Sequence, residues 1–273
     1  MTKLRKKIYA SSSSFMDGDL VTTQYSSGCL RMILAKAAGF RTDIKQKFMD
    51  VGEINELRFY KTLVDSNKYS LILDETPVRR NNVIGGVAYS SRTDFLTWEP
   101  GDIQPIVHEC KATFSSGLLS TAKKGEPRMS HLAQIVSYMT ILGLPKGIIW
   151  IHGYSEKKNK ETGGVDIVPK IRRDTKEPHE YRFDISFSED GTILINGRRT
   201  SYTQKDYISH FMAVGELLNN PVSIPKRPLG GECDRECCSW CDLKTVCRKS
   251  DDEGLTVDEF INEAKSLPIN TGD

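Results

Sequence analysis

The chain has 273 residues, 38% of them hydrophobic, enough to bury a real core in one large domain or one domain with a small appendage. Its 38 basic against 36 acidic side chains leave a formal charge of +2, so there is no global basic surface and any nucleic-acid contact has to be a local patch. No apolar run approaches the ~20 residues that a bilayer span needs, and the basic start MTKLRKK lacks the apolar stretch of a secretory signal; a cytoplasmic protein is expected, in the host cytoplasm if virus-encoded.

In chain order, the Ser11–Ser14 run marks residues 1–21 as a flexible start. Ser27 as N-cap and Gly39 as stop bound a first short helix, and a longer helix follows from about Asp43 to Val64. Three segments of strand character come next, YSLILDETPV, VIGGVAYSSRTDFLTW and QPIVHECKATF. Asn-Asn and Pro-Gly-Asp turn signals separate them and suggest antiparallel neighbours. The polar stretch 115–128 reads as a mobile loop. MSHLAQIVSYMTILG then reads as an amphipathic helix, with Leu132, Ile135, Met139 and Leu142 on one stripe and Gly143 and Pro145 ending it. GIIWIHGY is a buried strand, EKKNKETGG an exposed charged turn, EYRFDISF a further strand, and residues 203–219 a helix. Thr256 and Glu259 form a capping box that opens a short acidic helix.

Side chains two apart on a strand share a face, so Glu109 and Lys111 of HECK project together, away from His108 and Cys110. Asp94 lies on the preceding strand, across a turn at Pro100–Asp102, and an antiparallel pairing sets it next to Glu109. Two carboxylates at one point repel unless a divalent cation sits between them, the arrangement that phosphodiester hydrolysis uses to polarise phosphate and activate water. Lys111 beside them would position that water and counter charge developing on the phosphate. Taken alone, an acid and an E-x-K on strands is common surface decoration. The downstream helix adds Gln134 and Tyr138, four apart on one face and off the apolar stripe.

The ordered set Asp94, Glu109-x-Lys111, Gln134-x-x-x-Tyr138 resembles the RecB-type branch of the PD-(D/E)XK nucleases. That branch carries, upstream, a Gly followed four residues later by a His or Glu on a helix; here VGEINEL supplies Gly52 and Glu56, the Glu form, with Glu53 a weaker substitute. The resemblance implies Mg²⁺ or Mn²⁺ bound by Glu56, Asp94, Glu109 and the Cys110 carbonyl, with Lys111 assisting water and Gln134 and Tyr138 positioning substrate. The Cys110 thiol itself reads as a small buried hydrophobe. His108 and His131 flank the site and read as structural histidines, with a general-base role the alternative.

Seven cysteines include five within residues 233–247, which in a reducing compartment favours a metal over disulfides. Cys238-x-x-Cys241-x5-Cys247, with Cys29 far upstream, suits either tetrahedral zinc or an iron–sulfur cluster, and spacing does not choose between them. The one-plus-three layout resembles the iron–sulfur nucleases of the CRISPR-associated RecB-like family and the AddB subunit. It implies a structural [4Fe–4S] cluster on Cys29, Cys238, Cys241 and Cys247 joining the chain ends. Cys237 in place of Cys238, or a zinc site including Cys233 and Cys237, are the alternatives.

The fold expected is α/β, a restriction-endonuclease-like core with a central mixed sheet flanked by helices. Its layout would be a nuclease domain over 22–227, a cysteine segment over 228–250 and an acidic tail over 251–273. The function implied is an exonuclease acting on single-stranded DNA or DNA ends, with protein partners in recombination or CRISPR adaptation. A non-cleaving DNA-binding adaptor and a zinc-stapled nuclease are the rivals.

Overall fold

The computed structural model describes residues 20–21, 29–38, 40, 46–84, 87–225, 241 and 243–267. The Ser11–Ser14 run, Ser27, Gly39, Cys233, Cys237 and Cys238 lie outside them. The described strands are β1 (Leu20–Val21), β2 (Leu71–Ile84), β3 (Val87–Trp98), β4 (Ile106–Thr113), β5 (Lys146–Lys158), β6 (Val165–Pro169), β7 (Glu180–Phe187), β8 (Thr192–Ile195) and β9 (Arg198–Thr203). The helices are α1 (Leu30–Ala37), α2 (Gln46–Asp65), α3 (Ser116–Lys123), α4 (Met129–Leu142), α5 (Gln204–Asn219), α6 (Lys244–Glu253) and α7 (Val257–Ser266). They divide between two compact units, one built from Gln46–Val78 and Arg92–Lys205, the other from the described parts of Ser12–Lys45, Arg79–Ser91 and Asp206–Asp273.

The first unit is organised around a mixed sheet in the order β3-β4-β5-β7-β8-β9, with β2 beside β3 and β6 beside β5. β4 runs antiparallel to β3 and parallel to β5, and a parallel pair needs a crossover, which α3 and α4 provide. Buried residues dominate β5 from Gly147 to Tyr154, as a central strand covered on both faces requires. On one face α2 packs Phe59 and Leu63 against Tyr69, Phe95 and Cys110. The Phe59 ring lies 4.9 Å from Trp150 and 5.5 Å from Phe95, a contact range in which aromatic pairs attract beyond simple burial. On the other face α4 rides directly over Gly147, where a Cβ would come within 2.7 Å of Ile135 Cγ1 and 2.9 Å of Met139 Sδ.

The second unit has its own core, in which Leu34, Ala35 and Phe40 meet Leu243, Val246 and Cys247 of the α6 region and Phe260 and Ala264 of α7. The Thr256/Glu259 capping box forms as the sequence predicts, and no described helix is long and apolar enough to cross a membrane.

Several local expectations change. The first helix begins at Leu30 with Cys29 as N-cap, and the second is observed from Gln46 to Asp65. Asn81 and Asn82 make no turn: β2 runs through them to Ile84, since extended pairing with β3 outweighs a local turn preference. The stretch read as a loop at 115–128 contains α3, capped by Ser115 accepting from the Leu118 amide and anchored by buried Leu119 and Ala122. Helix α4 is buried from Leu132 to Met139 instead of being amphipathic. The charged turn after β5 shrinks, because β5 extends to Lys158 and pairs with β6.

Candidate active site

β3 and β4 pair with Phe95 opposite His108, Leu96 opposite Val107 and Thr97 opposite Ile106. One further step in that register sets Asp94 across from Glu109, on the same face of the sheet. Asp94 Oδ2 accepts the Cys110 backbone N–H at 2.6 Å, which fixes the half-buried carboxylate against the strand that carries Glu109 and Lys111. Glu109 is completely buried and ion-pairs through Oε1 with the Lys111 ammonium, whose side chain is 25% exposed. Apart from that ion pair, neither Glu109 oxygen has a hydrogen-bond partner among the described residues.

The charges of these groups act on one another. Burial, then the Asp94 charge and more weakly Glu56, push the Glu109 carboxyl well above the usual carboxylate range, against the opposing pull of Lys111. Burial works against the Lys111 charge too, but attraction to Glu109 and Asp94 outweighs it and holds the ammonium above its ordinary value. The Cys110 thiol is raised by burial and by the Asp94 and Glu109 charges, so it stays protonated, in line with an inert core cysteine. Glu56 is half-buried on α2. Its helix is pinned at the neighbouring Asn55, fully buried, whose Oδ1 accepts the Tyr154 hydroxyl at 3.1 Å.

Gln134 and Tyr138 are also brought to this region, but as buried groups. Gln134 Nε2 donates to the Tyr138 hydroxyl at 3.1 Å, and that hydroxyl donates to the Arg92 carbonyl at 2.9 Å. Arg92 is two residues from Asp94, so the pair ties α4 to the strand that holds the first carboxylate. His108 points to the α2 face, as the alternation predicts. Its Nδ1 accepts the Trp150 indole N–H at 3.3 Å, and because an indole can only donate, the proton sits on Nε2 and is given to Thr97 Oγ1 at 2.8 Å. With both nitrogens engaged and burial pushing its pKa down to about 3, His108 is a structural residue.

The sequence reading missed Asn55 and the Thr97–His108–Trp150 chain. A buried polar residue in mid-helix beside a candidate ligand was the available signal for Asn55.

Hard oxygen donors, one of them a buried carboxylate with no hydrogen-bond partner but Lys111 among the described residues, suit a divalent cation such as Mg²⁺ or Mn²⁺ in kind. Among the described residues, no three His, Cys, Asp or Glu side chains converge closely enough to form a coordination group. For the cysteines, Cys247 belongs to one apolar cluster and Cys241 packs against it, Cys29 heads α1, and none of the three is in a disulfide among the described residues. Arg31, two residues past Cys29, donates from its guanidinium to the Cys247 carbonyl at 3.1 Å. That bond brings the chain next to Cys29 and Cys247, the first and last members of the expected thiolate set, into one neighbourhood.

No family model and no curated protein matches the chain. Solved structures of similar shape include SSO0001, at 12% identity over 85% of this chain and 87% of that one, with a TM-score of 0.42. An alkaline exonuclease (LHK-Exo) from Laribacter hongkongensis matches at 10% identity over 74% of this chain and 88% of that one, TM-score 0.43. Its complex with dAMP has a TM-score of 0.42. The functional reading rests on this chain's own residues.

Proposed function

We propose that the protein is a metal-dependent DNA nuclease that hydrolyses phosphodiester bonds, acting as an exonuclease on single-stranded DNA or DNA ends. One observation carries the reading: a wholly buried carboxylate, Glu109, is ion-paired to a lysine two residues on, has no other hydrogen-bond partner among the described residues, and faces the charges of Asp94 and Glu56. A structural ion pair gains little from such a setting, because one fully desolvated carboxylate faces two further acidic charges with a single ammonium beside it. A site for a divalent cation and a phosphate accounts for it.

In this reading Asp94, Glu109, Glu56 and the Cys110 carbonyl would hold Mg²⁺ or Mn²⁺ once the ion draws the carboxylates together, and the metal would polarise the phosphate and make water a better nucleophile. The Lys111 ammonium, kept protonated by its two acidic neighbours, orients the attacking water and balances negative charge growing on the phosphate oxygens. Asp94 is held in place by the Cys110 amide, and the Tyr138 contact to Arg92 fixes the height of its strand over α4. Gln134 donates to the Tyr138 hydroxyl, and in this reading the pair would position the substrate. Cys29, Cys238, Cys241 and Cys247 would hold a structural [4Fe–4S] cluster, with zinc the other metal such thiolates accept. That layout supports membership of the RecB-like iron–sulfur nucleases, whose partners serve recombination or CRISPR adaptation.

The test is cleavage of end-labelled single-stranded DNA with Mn²⁺. Asp94→Ala, Glu109→Ala and Lys111→Ala are each expected to lower the rate by about a hundredfold or more. Equal cutting by all four proteins removes the assignment, and DNA binding without cutting under any divalent ion assigns the chain to a binding module. Protein purified without oxygen should be brown; a colourless preparation with stoichiometric zinc overturns the iron–sulfur part.

A further inference from the structure

His131 belongs to the first turn of α4, and with Gln134 and Tyr138 it occupies positions i, i+3 and i+7, one face of the helix. Tyr138 and Gln134 are engaged with Arg92 and with each other, so this face is the one turned to the strand bearing Asp94. At its open end, next to the helix N-terminus, His131 has a buried Nδ1 with no hydrogen-bond partner among the described residues. A polar atom removed from water without a partner is unfavourable by a few kcal/mol and is retained where a ligand completes it.

The surroundings identify that ligand. Besides burial, the charges of Lys111 and Arg128 hold the imidazole neutral, its pKa down at about 3, so His131 stands within the field of the lysine of the proposed site and of the arginine that begins the helix. Two cations around one neutral hydrogen-bonding ring describe a seat for an anion, not for a metal. The first-turn amides of α4 add to the same polarity.

We propose that His131 contacts the substrate, donating a hydrogen bond from Nδ1–H to a non-bridging phosphate oxygen on the Lys111 side of the site. This rests on the nuclease reading for its place in a reaction, but the contact itself is to a phosphodiester backbone and can be measured by binding alone. The bond is present in the ground state and stays through the reaction. Its removal therefore raises KM, or the dissociation constant, more than it lowers kcat.

The experiment uses the full chain with a fluorescein-labelled single-stranded oligonucleotide. Binding is followed in Ca²⁺ and cleavage in Mn²⁺, for wild type, His131→Ala, His131→Asn and His131→Gln. An Asn amide nitrogen sits near the place of Nδ1 and a Gln amide nitrogen near that of Nε2. The proposal expects His131→Ala to weaken binding and kcat/KM by about ten- to a hundredfold, Asn to recover most of the loss and Gln little of it. A purely packing role would instead follow side-chain volume, with Gln recovering as much as Asn, and that result overturns the proposal. Unchanged binding and kcat/KM in His131→Ala overturn it as well. If wild type binds but never cuts, the nuclease reading has failed, while the Ala, Asn and Gln binding series still decides the contact. Should Ala not fold, the Asn–Gln comparison decides alone.

Discussion

At the scale of single residues, Glu109 is the group whose state matters most. Its folded-state pKa lies above its unfolded value, so over the interval between them the folded protein holds a proton that the unfolded chain has lost. Stability from this group is therefore complete below the unfolded carboxylate pKa and is lost as pH rises through the folded one. Without divalent metal, the thermal midpoint should fall as pH is raised from mildly acid to mildly alkaline. Glu109→Gln should remove that slope and raise stability at pH 8 by about 1–3 kcal/mol. Lys111 is not stranded by the change, because its side chain reaches solvent and remains in the field of Asp94. Melting curves in a chelator across pH, repeated with Mn²⁺, check the idea. A wild type already stable at alkaline pH without metal, with no gain from Gln, would mean that Glu109 is not held against its charge.

At the scale of elements, the close approach of α4 to β5 fixes where Gln134 and Tyr138 meet the sheet. Gly147 makes that approach possible, and Gly147→Ala would drive a methyl into Ile135 Cγ1 and Met139 Sδ. The thioether can move, but Ile135 is fully buried, so the substitution should destabilise by about 1–3 kcal/mol, read from urea unfolding, and lower activity by shifting Tyr138 from Arg92. Unchanged stability would show that the helix floats above the sheet. This coupling was not legible in the sequence, where Gly147 is one glycine next to a proline-lysine pair. What was legible is what a single period specifies: the alternation in β4 that separates Glu109 and Lys111 from His108 and Cys110, the ends of α4, and the capping box of α7. Helix α3 was hidden because its Ser and Gly residues favour loops, and only the burial of Leu119 and Ala122 by neighbours remote in sequence makes it a helix. The bond from Tyr138 to the Arg92 carbonyl was not legible either, since a sequence does not reveal which strand carbonyl lies within reach of its hydroxyl.

At the scale of the whole chain, the question is how residues near its start are held to residues near its end. The proposed cluster is one answer, and Arg31 is a second that needs no metal. Its buried guanidinium donates to the Pro225 carbonyl at 2.6 Å, the Cys247 carbonyl at 3.1 Å and Asp251 Oδ1 at 2.6 Å, across sequence separations of up to 220 residues. Arginine is suited to this because its planar fork presents several donors at once; lysine reaches only as a point charge. Arg31→Lys should therefore be damaging too. Arg31→Ala leaves two carbonyls and a carboxylate without this donor, and Asp251 is 29% exposed, so water makes good part of the loss. A cost of about 2–3 kcal/mol follows, below the full value for breaking a wholly buried pair. Hydrogen exchange should locate it, with amides of α1 and α6 exchanging faster in the variant. If the cluster alone holds the ends, Arg31→Ala will keep wild-type exchange while metal is bound and differ only after iron is removed; if the arginine carries part of the closure, the difference is present in both states.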